Sequence, residues 1–345
     1  MSKRKLSKNQ QRRVSENKQR TRKAKKHELP DDDASLGPLC EGLVLAHFGT
    51  EVLVESTNPA DSDSPEQTIS QRCYVRANTD VICGDKVNWR SSSNNKGVVE
   101  SREKRSTELK RPDKYGKLKI VAANISQLVI VIAAKPEAFL NLIDRYLVAA
   151  ELHNLSPCIV VNKSDLEDED GKLAEIEALY SSLSIPIIYT SSTTGDGKEA
   201  LESALSGHTN IFVGQSGVGK SSLISALLPD EDIRIGELSH TRDKGRHTTT
   251  HTQLYHFSFD GHCIDSPGIR EFGLWHLSDG QLISGFPELF DMAAHCKFRD
   301  CRHEGDPGCA IASGINEGTI ERRRFESYKQ IRNQMNDVSM RQDSL

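Results

Sequence analysis

No stretch of this 345-residue chain stays apolar for long enough to cross a membrane. The longest mostly apolar run, 120–134, is broken by Asn124, Ser126 and Gln127 and falls short of the ~20 residues a spanning helix needs. No membrane partner is expected. A disulfide framework is missing too. Of the eight cysteines, Cys40, Cys73, Cys83, Cys158 and Cys263 are scattered without pattern, as incidental or buried thiols are in a reducing, cytoplasmic compartment. Internal repeats are absent. The first 27 residues have almost no acids and no apolar stripe: of the chain's 45 Lys/Arg and 49 Asp/Glu they hold twelve and one, a balance of +11, which leaves 33 bases against 48 acids for the rest, or −15. An arm with so few apolar side chains cannot offset its ordering entropy and is expected to be disordered alone. It has no apolar h-region, so it is no secretory signal. Scarce acids would suit a mitochondrial transit peptide, but the amphipathic stripe is missing. Beside the plain reading as a solvating tail, a flexible polycation gains affinity by releasing counterions from phosphates, which points to nucleic acid.

The 36% hydrophobic and 27% charged fractions suit a soluble globular chain with a polar extension, and the length suits two or three units. After the linker PDDDASLGP come five short β-rich runs, GLVLAHF, EVLVES, RCYVRA, DKVNWR and GVVESRE, interrupted by the polar STNPADSDSPEQ. Short strands separated by turn residues predict a small barrel of the oligonucleotide-binding (OB) type. From about Lys119 the rhythm changes to strands alternating with helices: QLVIVIAA, FLNLIDRYLVAAELH, PCIVVN, LAEIEALYSSL, IPIIYT, a helix near 197–205, TNIFV, SSLISALL, TQLYHFSF and HCIDS. That alternation predicts a parallel sheet covered on both faces. A last helix is predicted from Thr319 to about Val338, with Ile320, Phe325, Tyr328, Ile331 and Met335 inward and Arg322, Arg323, Arg324, Lys329 and Arg332 outward.

Between TNIFV and SSLISALL lies GQSGVGKS, which fits G-x-x-x-x-G-K-[ST] in the strand–loop–helix context that pattern requires. The backbone N–H groups of Gly214, Gln215, Ser216, Gly217, Val218, Gly219 and Ser222 can converge on phosphate oxygens at a helix N-terminus. Lys220 would neutralise β and γ phosphates, and the Ser221 hydroxyl would ligate magnesium. Downstream, DSPG ends a strand, with Asp265 placed to hold magnesium through its water shell and the Gly268 N–H to sense the γ-phosphate. The intervening GRHTTTH suits a mobile switch loop in which one of its three threonines, Thr248, Thr249 or Thr250, reaches the metal.

Upstream of all these stands NKSD, directly after an apolar strand. The Asp165 carboxylate can accept from guanine N1–H and N2–H₂, a donor pair that adenine lacks. Asn162 can reach the base from another side, Lys163 would lie along its plane, and Ser164 completes the loop. Ser191 and Ser192, after IPIIYT, sit where a second base-contacting loop belongs. GTP or GDP is the expected ligand. The order is base, base, phosphate, switch, switch, a circular permutation, because the carboxyl edge of a parallel sheet does not depend on the order in which the chain visits it. Near the end, Cys296, Cys301, His303 and Cys309 place three thiolates and one imidazole within fourteen residues, a set that suits one closed tetrahedral zinc site. His295 competes for the fourth place, although its adjacency to Cys296 would strain simultaneous ligation.

NKSD before GQSGVGKS, then GRHTTT, DSPG and a Cys-rich end resemble the circularly permuted small-subunit ribosome-assembly GTPases called RsgA or YjeQ, over nearly the whole chain. The resemblance implies a multidomain α/β chain: arm and linker at 1–36, an OB-like barrel at 37–111, a permuted P-loop GTPase domain at 112–277, and a zinc-binding domain with a C-terminal helix at 278–345. It implies a GTP hydrolase that binds the small (30S) ribosomal subunit and its rRNA, is stimulated by it and acts late in its maturation; a monomer is expected. The family pattern also favours His303 over His295. Where many GTPases place a water-orienting Gln after D-x-x-G, this chain has Ile269, which cannot orient water. His247, in the first switch, is the candidate for that role, on the residues and on the resemblance alike. Ser216 stands where an Asn accompanies potassium activation, so no potassium dependence is expected. A zinc-containing RNA-binding module with nucleotide-gated affinity and no turnover is the alternative.

Overall fold

The computed structural model describes residues 36–57, 69–76, 79–92, 96–112, 118–228, 252–265 and 277–342. The basic arm, His247, Thr248, Thr249, Gly268 and Ile269 lie outside the described residues.

The five β-rich runs form β1 (Leu36–His47), β2 (Glu51–Ser56), β3 (Ser70–Val75), β4 (Lys86–Ser92) and β5 (Gly97–Arg102). Alternation does what the pleat demands: Val52, Val54 and Ser56 of β2 face inward while Glu51, Leu53 and Glu55 stay half-buried. Val44, Val52, Val54, Cys73, Val87, Trp89 and Val99 fill one core. Trp89 fits because residue 42 is glycine, where a Cβ would lie 2.6 Å from its Nε1. β1 pairs with both β2 and β4, and β3 pairs with β5 in parallel, so the order 1-2-3-5-4-1 closes an OB-type barrel without free edges. The buried Asp85–Arg105 ion pair, at 2.7 Å, ties the barrel to the segment that leaves it. That segment runs through β6 (Glu108–Pro112) and β7 (Leu118–Ala123), a two-stranded antiparallel ribbon of its own.

The central unit comprises β8 (Gln127–Ile132), α1 (Leu140–His153), β9 (Ser156–Val161), α2 (Lys172–Ser181), β10 (Ile187–Tyr189), α3 (Lys198–Leu205), β11 (Thr209–Val213), α4 (Lys220–Leu227), β12 (Gln253–His256) and β13 (His262–Asp265). Its strands lie in the order β10-β9-β8-β11-β13-β12, the first five parallel and β12 antiparallel. Every residue of β8 is buried, as expected for a strand covered on both faces. Ile143, Tyr146, Leu147, Ile176 and Tyr180 of α1 and α2 cover one face. Leu201, Leu205, Leu223 and Leu227 of α3 and α4 cover the other. The sheet meets the barrel where Gln253 of β12 pairs with Ala46 of β1.

Beyond β13 come α5 (Asp279–Ser284), α6 (Pro287–Ala293), α7 (Ala310–Glu317) and α8 (Arg322–Gln342). Leu282, Phe286, Leu289, Ile311, Ile320, Tyr328, Ile331 and Met335 form their core together with Val148 and Ala149 of α1. α1 is therefore covered on two sides, by the sheet and by this C-terminal unit. Two residues depart from the helical-wheel reading of α8. Arg324, expected outward, has a side chain only 2% exposed, and Arg332 is 11% exposed. Both have acidic partners: the buried Asp144 and the partly buried Glu288 for Arg324, and the exposed Glu304 for Arg332.

Candidate functional site

β8, β9 and β10 end level, with Ile132, Val161 and Tyr189 in register, and β11 ends beside them. The loops that follow β9, β10 and β11 therefore gather at one edge, although the chain visits them in permuted order. Gly214 leaves β11 at φ 138°, where a Cβ would lie 2.1 Å from the Val131 carbonyl oxygen. Gly219 caps α4 at φ 92°, and a Cβ there would lie 2.3 Å from Asn162 Nδ2. Both positions need glycine, for conformation and for space. Between them the Val218 side chain is buried in the core shared with α4, anchoring the loop from beneath. Ser216, Gly217, Ser221 and Ser222 are exposed, so this side of the loop is open to a ligand. Lys220 lies across the loop, its Nζ donating to the carbonyls of Gly214 (2.7 Å) and Gln215 (2.5 Å).

Asn162 is fully buried. Its side-chain amide donates to the Val218 carbonyl at 2.9 Å, and its side-chain oxygen accepts from the Ser192 N–H at 3.3 Å. One residue thus ties the NKSD loop to both the glycine loop and the loop after β10. Lys163 takes a left-handed backbone, φ 60°, and its Nζ donates to Gly217 O (2.7 Å) and to Lys135 O (3.1 Å) in the loop after β8. The Ser191 hydroxyl donates to Asp165 Oδ1 at 2.5 Å while accepting from the N–H groups of Thr193 and Thr194, both at 3.2 Å. That arrangement fixes the Asp165 carboxylate. Asp265 is exposed at the end of β13, in the strand beside β11.

Two further contributors lie outside the sequence motifs. Asp168, three residues after Asp165, accepts from the N–H groups of Lys172 (3.2 Å) and Leu173 (2.8 Å), the first two of α2. The Lys135 carbonyl is a backbone partner that no side-chain pattern could reveal.

In the C-terminal unit, the ligand atoms of Cys296, Cys301, His303 and Cys309 lie within 4.8 Å of one another. Cys296 Sγ and Cys309 Sγ stand 3.6 and 3.5 Å from His303 Nδ1. A tetrahedral ion with bonds of ~2.0–2.3 Å needs donors roughly 3.5–3.8 Å apart, so the set fits a metal with small adjustments. Burial holds the His303 imidazole below its ordinary range, which favours the neutral form a metal needs. His295 is exposed and outside the cluster. Among the described residues no helix is long and apolar enough to cross a membrane.

Comparison with known proteins agrees with this layout. Residues 102–275 match the family model described as RsgA GTPase. The "Small ribosomal subunit biogenesis GTPase RsgA" of Saccharophagus degradans is 45% identical, over 99% of each chain. The crystal structure of YjeQ from Thermotoga maritima superposes with a TM-score of 0.70 at 32% identity, covering 86% of this chain and 99% of that one. YloQ, described as a circularly permuted GTPase, gives 0.67 at 26% identity, covering 87% and 96%. A full-length relative and a family model spanning the sheet and its loops agree: this chain belongs to the RsgA GTPase family.

Proposed function

We propose that this GTPase acts in the cytoplasm as a monomer on the small ribosomal subunit and its rRNA, binding it in one nucleotide state and leaving in the other, with hydrolysis stimulated by the subunit. The units that would do so are the arm at 1–36, the barrel at 37–111, the GTPase domain at 112–277 and the C-terminal domain at 278–345. The observation that carries the nucleotide reading is the single buried side chain, Asn162, that joins the NKSD, glycine and post-β10 loops. Loops so joined form one site for base and phosphates together.

In that site Asp165 would accept from the guanine donors, held by Ser191, with Lys163 along the base plane and Ser164 and Ser192 completing the walls. The 214–219 loop and the first amides of α4, those of Ser221 and Ser222 included, would hold the phosphates, with Lys220 turning from carbonyls to phosphate oxygens. Magnesium, bound with the nucleotide, supplies neutralisation of the β and γ oxygens. Ser221, one of the three threonines at 248–250, and Asp265 through water would hold it, and the Gly268 N–H would read the γ-phosphate. His247 would orient the attacking water, since Ile269 cannot. The Cys₃His cluster would hold one structural zinc ion, because a complete soft donor set leaves no position for a reacting water.

Groups supplied in trans add roughly 10³–10⁵ in rate at sites of this class, so the isolated chain should be slow. Phosphate release measured with and without purified small subunits, GTP and ATP side by side, tests the reading. Slow GTP turnover that rises by orders of magnitude with subunits, and none with ATP, is expected. Equal use of ATP would end the guanine assignment, and indifference to subunits would end the ribosomal one. With His247→Ala, GTP affinity should persist while stimulated single-turnover hydrolysis slows; an unchanged rate removes His247 from the role.

A further inference from the structure

Asp144 of α1 is completely buried. Its Oδ1 accepts from the Tyr180 hydroxyl of α2 at 2.8 Å and from the Arg324 guanidinium of α8. Arg324 also donates through Nε to Glu288 of α6 at 2.7 Å, and its guanidinium lies 4.5 Å from the centroid of the Phe286 ring. One charge junction therefore joins four helices, two from the GTPase unit and two from the C-terminal unit. Taking such charges out of water is costly and is offset only when the partners are held in place. A plain apolar seam would have docked α8 more cheaply, and one already exists in Val148 and Ala149.

The two GTPase helices joined here are the ones that flank the NKSD strand. α1 follows the Lys135 loop, whose carbonyl takes the Lys163 ammonium. The first N–H groups of α2 are held by Asp168, three residues after Asp165. Lys172 at the head of α2 pairs with Glu137 ahead of α1, and Lys135 pairs with Glu169 at 3.0 Å. The spacing of the two walls beside the base is thus the spacing of α1 and α2, and Asp144 and Tyr180 hold that spacing from within.

We infer that Arg324 is a positioning residue for the base subsite: it fixes α1 against α2 through Asp144, so that docking of the C-terminal unit and guanine-nucleotide binding strengthen each other. This rests on the guanine reading above. DSPG stands shortly before the C-terminal unit in the chain and offers a path from the γ-phosphate; the present route is separate, because it enters through the base loops. Linkage makes it reciprocal: whatever grips the C-terminal unit alters nucleotide affinity, and nucleotide tightens the docking by the same factor.

The test uses the full-length, zinc-loaded chain and fluorescent GDP. Arg324→Met should release GDP about tenfold faster, within the range usual for coupled sites, while retaining one zinc per chain, and Arg324→Lys should fall between. GDP should slow amide exchange in α8 of the unaltered chain and not of Arg324→Met. GDP release within twofold of the unaltered chain, with α8 exchange indifferent to GDP, overturns the inference. Should Arg324→Met fail to fold, Tyr180→Phe decides on the same criterion: it removes only the hydroxyl that links α2 to Asp144 and to the Leu140 carbonyl of α1. If the unaltered chain binds ADP as well as GDP, the guanine reading falls and takes the inference with it; guanine preference with unchanged release sinks the inference alone.

Discussion

At the scale of single residues, Gly219 and Asn162 show how little freedom the nucleotide loops have. The glycine stands at φ 92° with Asn162 Nδ2 where a Cβ would go. Gly219→Ala must either distort a left-handed backbone or push Asn162 off the Val218 carbonyl, leaving buried polar atoms unpaired. Each of these costs about 1–3 kcal/mol. GDP affinity should fall at least tenfold by calorimetry, and the melting temperature should drop with it. Asp165 permits a sharper test. A carboxylate accepts from guanine, whereas an amide can donate to the C2 oxygen of xanthine. Asp165→Asn should therefore exchange preference from guanosine to xanthosine diphosphate, and competition binding with both would show it. A variant that still prefers guanosine places the base elsewhere.

At the scale of elements, the β12–β13 hairpin carries a pH-sensitive seam with the barrel. His262 Nδ1 lies 2.9 Å from His256 Nδ1, and His256 Nε2 lies 2.6 Å from Glu55 Oε2 of β2, within ion-pair distance though off the hydrogen-bond axis. Burial first, then the neighbouring His256, hold the His262 imidazole below its ordinary range, with Asp260 and Glu55 opposing. The folded chain then binds fewer protons at this site than the unfolded one. Its contribution is complete above the unfolded imidazole pKa of ~6.5 and is lost as pH falls below it. His262→Gln should narrow the stability gap between pH 7.5 and 5.5 in urea melts; an unchanged gap discounts the site. The Cys₃His cluster offers a second element-level test. Cys309 is the N-cap of α7, and Cys296 and Cys301 pack against the C-terminal core. Chelation or Cys309→Ser should destabilise that unit by more than about 4 kcal/mol, as loss of a structural metal does. A chromogenic zinc assay alongside calorimetry would show both the release and the lost transition.

At the scale of the whole molecule, salt dependence tests the expectation that the basic arm contacts nucleic-acid phosphates. About six phosphate contacts would give a log–log salt slope near −4 to −5. Deleting residues 1–27 should flatten that slope in subunit binding, and an unaltered slope would mean that the arm touches no RNA. The architecture was largely legible in sequence. β-rich runs with turn residues became the barrel, and alternating strands and helices became the parallel sheet. Arg324 was not legible: a helical wheel sorts residues by hydropathy, and no wheel shows a carboxylate 180 residues away in sequence. Nor could residue types disclose that Asn162 spends its amide on two neighbouring loops, or that β12 runs antiparallel at the seam with the barrel.

The amino-acid sequence by itself determined the chemistry of the nucleotide loops and of the thiol–imidazole set, because each acts through backbone and side chains within a few residues of one another. Tertiary structure alone decided how the units are joined: the barrel closed by a parallel β3–β5 pair, α1 covered on two sides, and the Asp144–Arg324 junction between them. These depend on which distant surfaces meet, and the free energy of a buried charge is set by the partner it meets there.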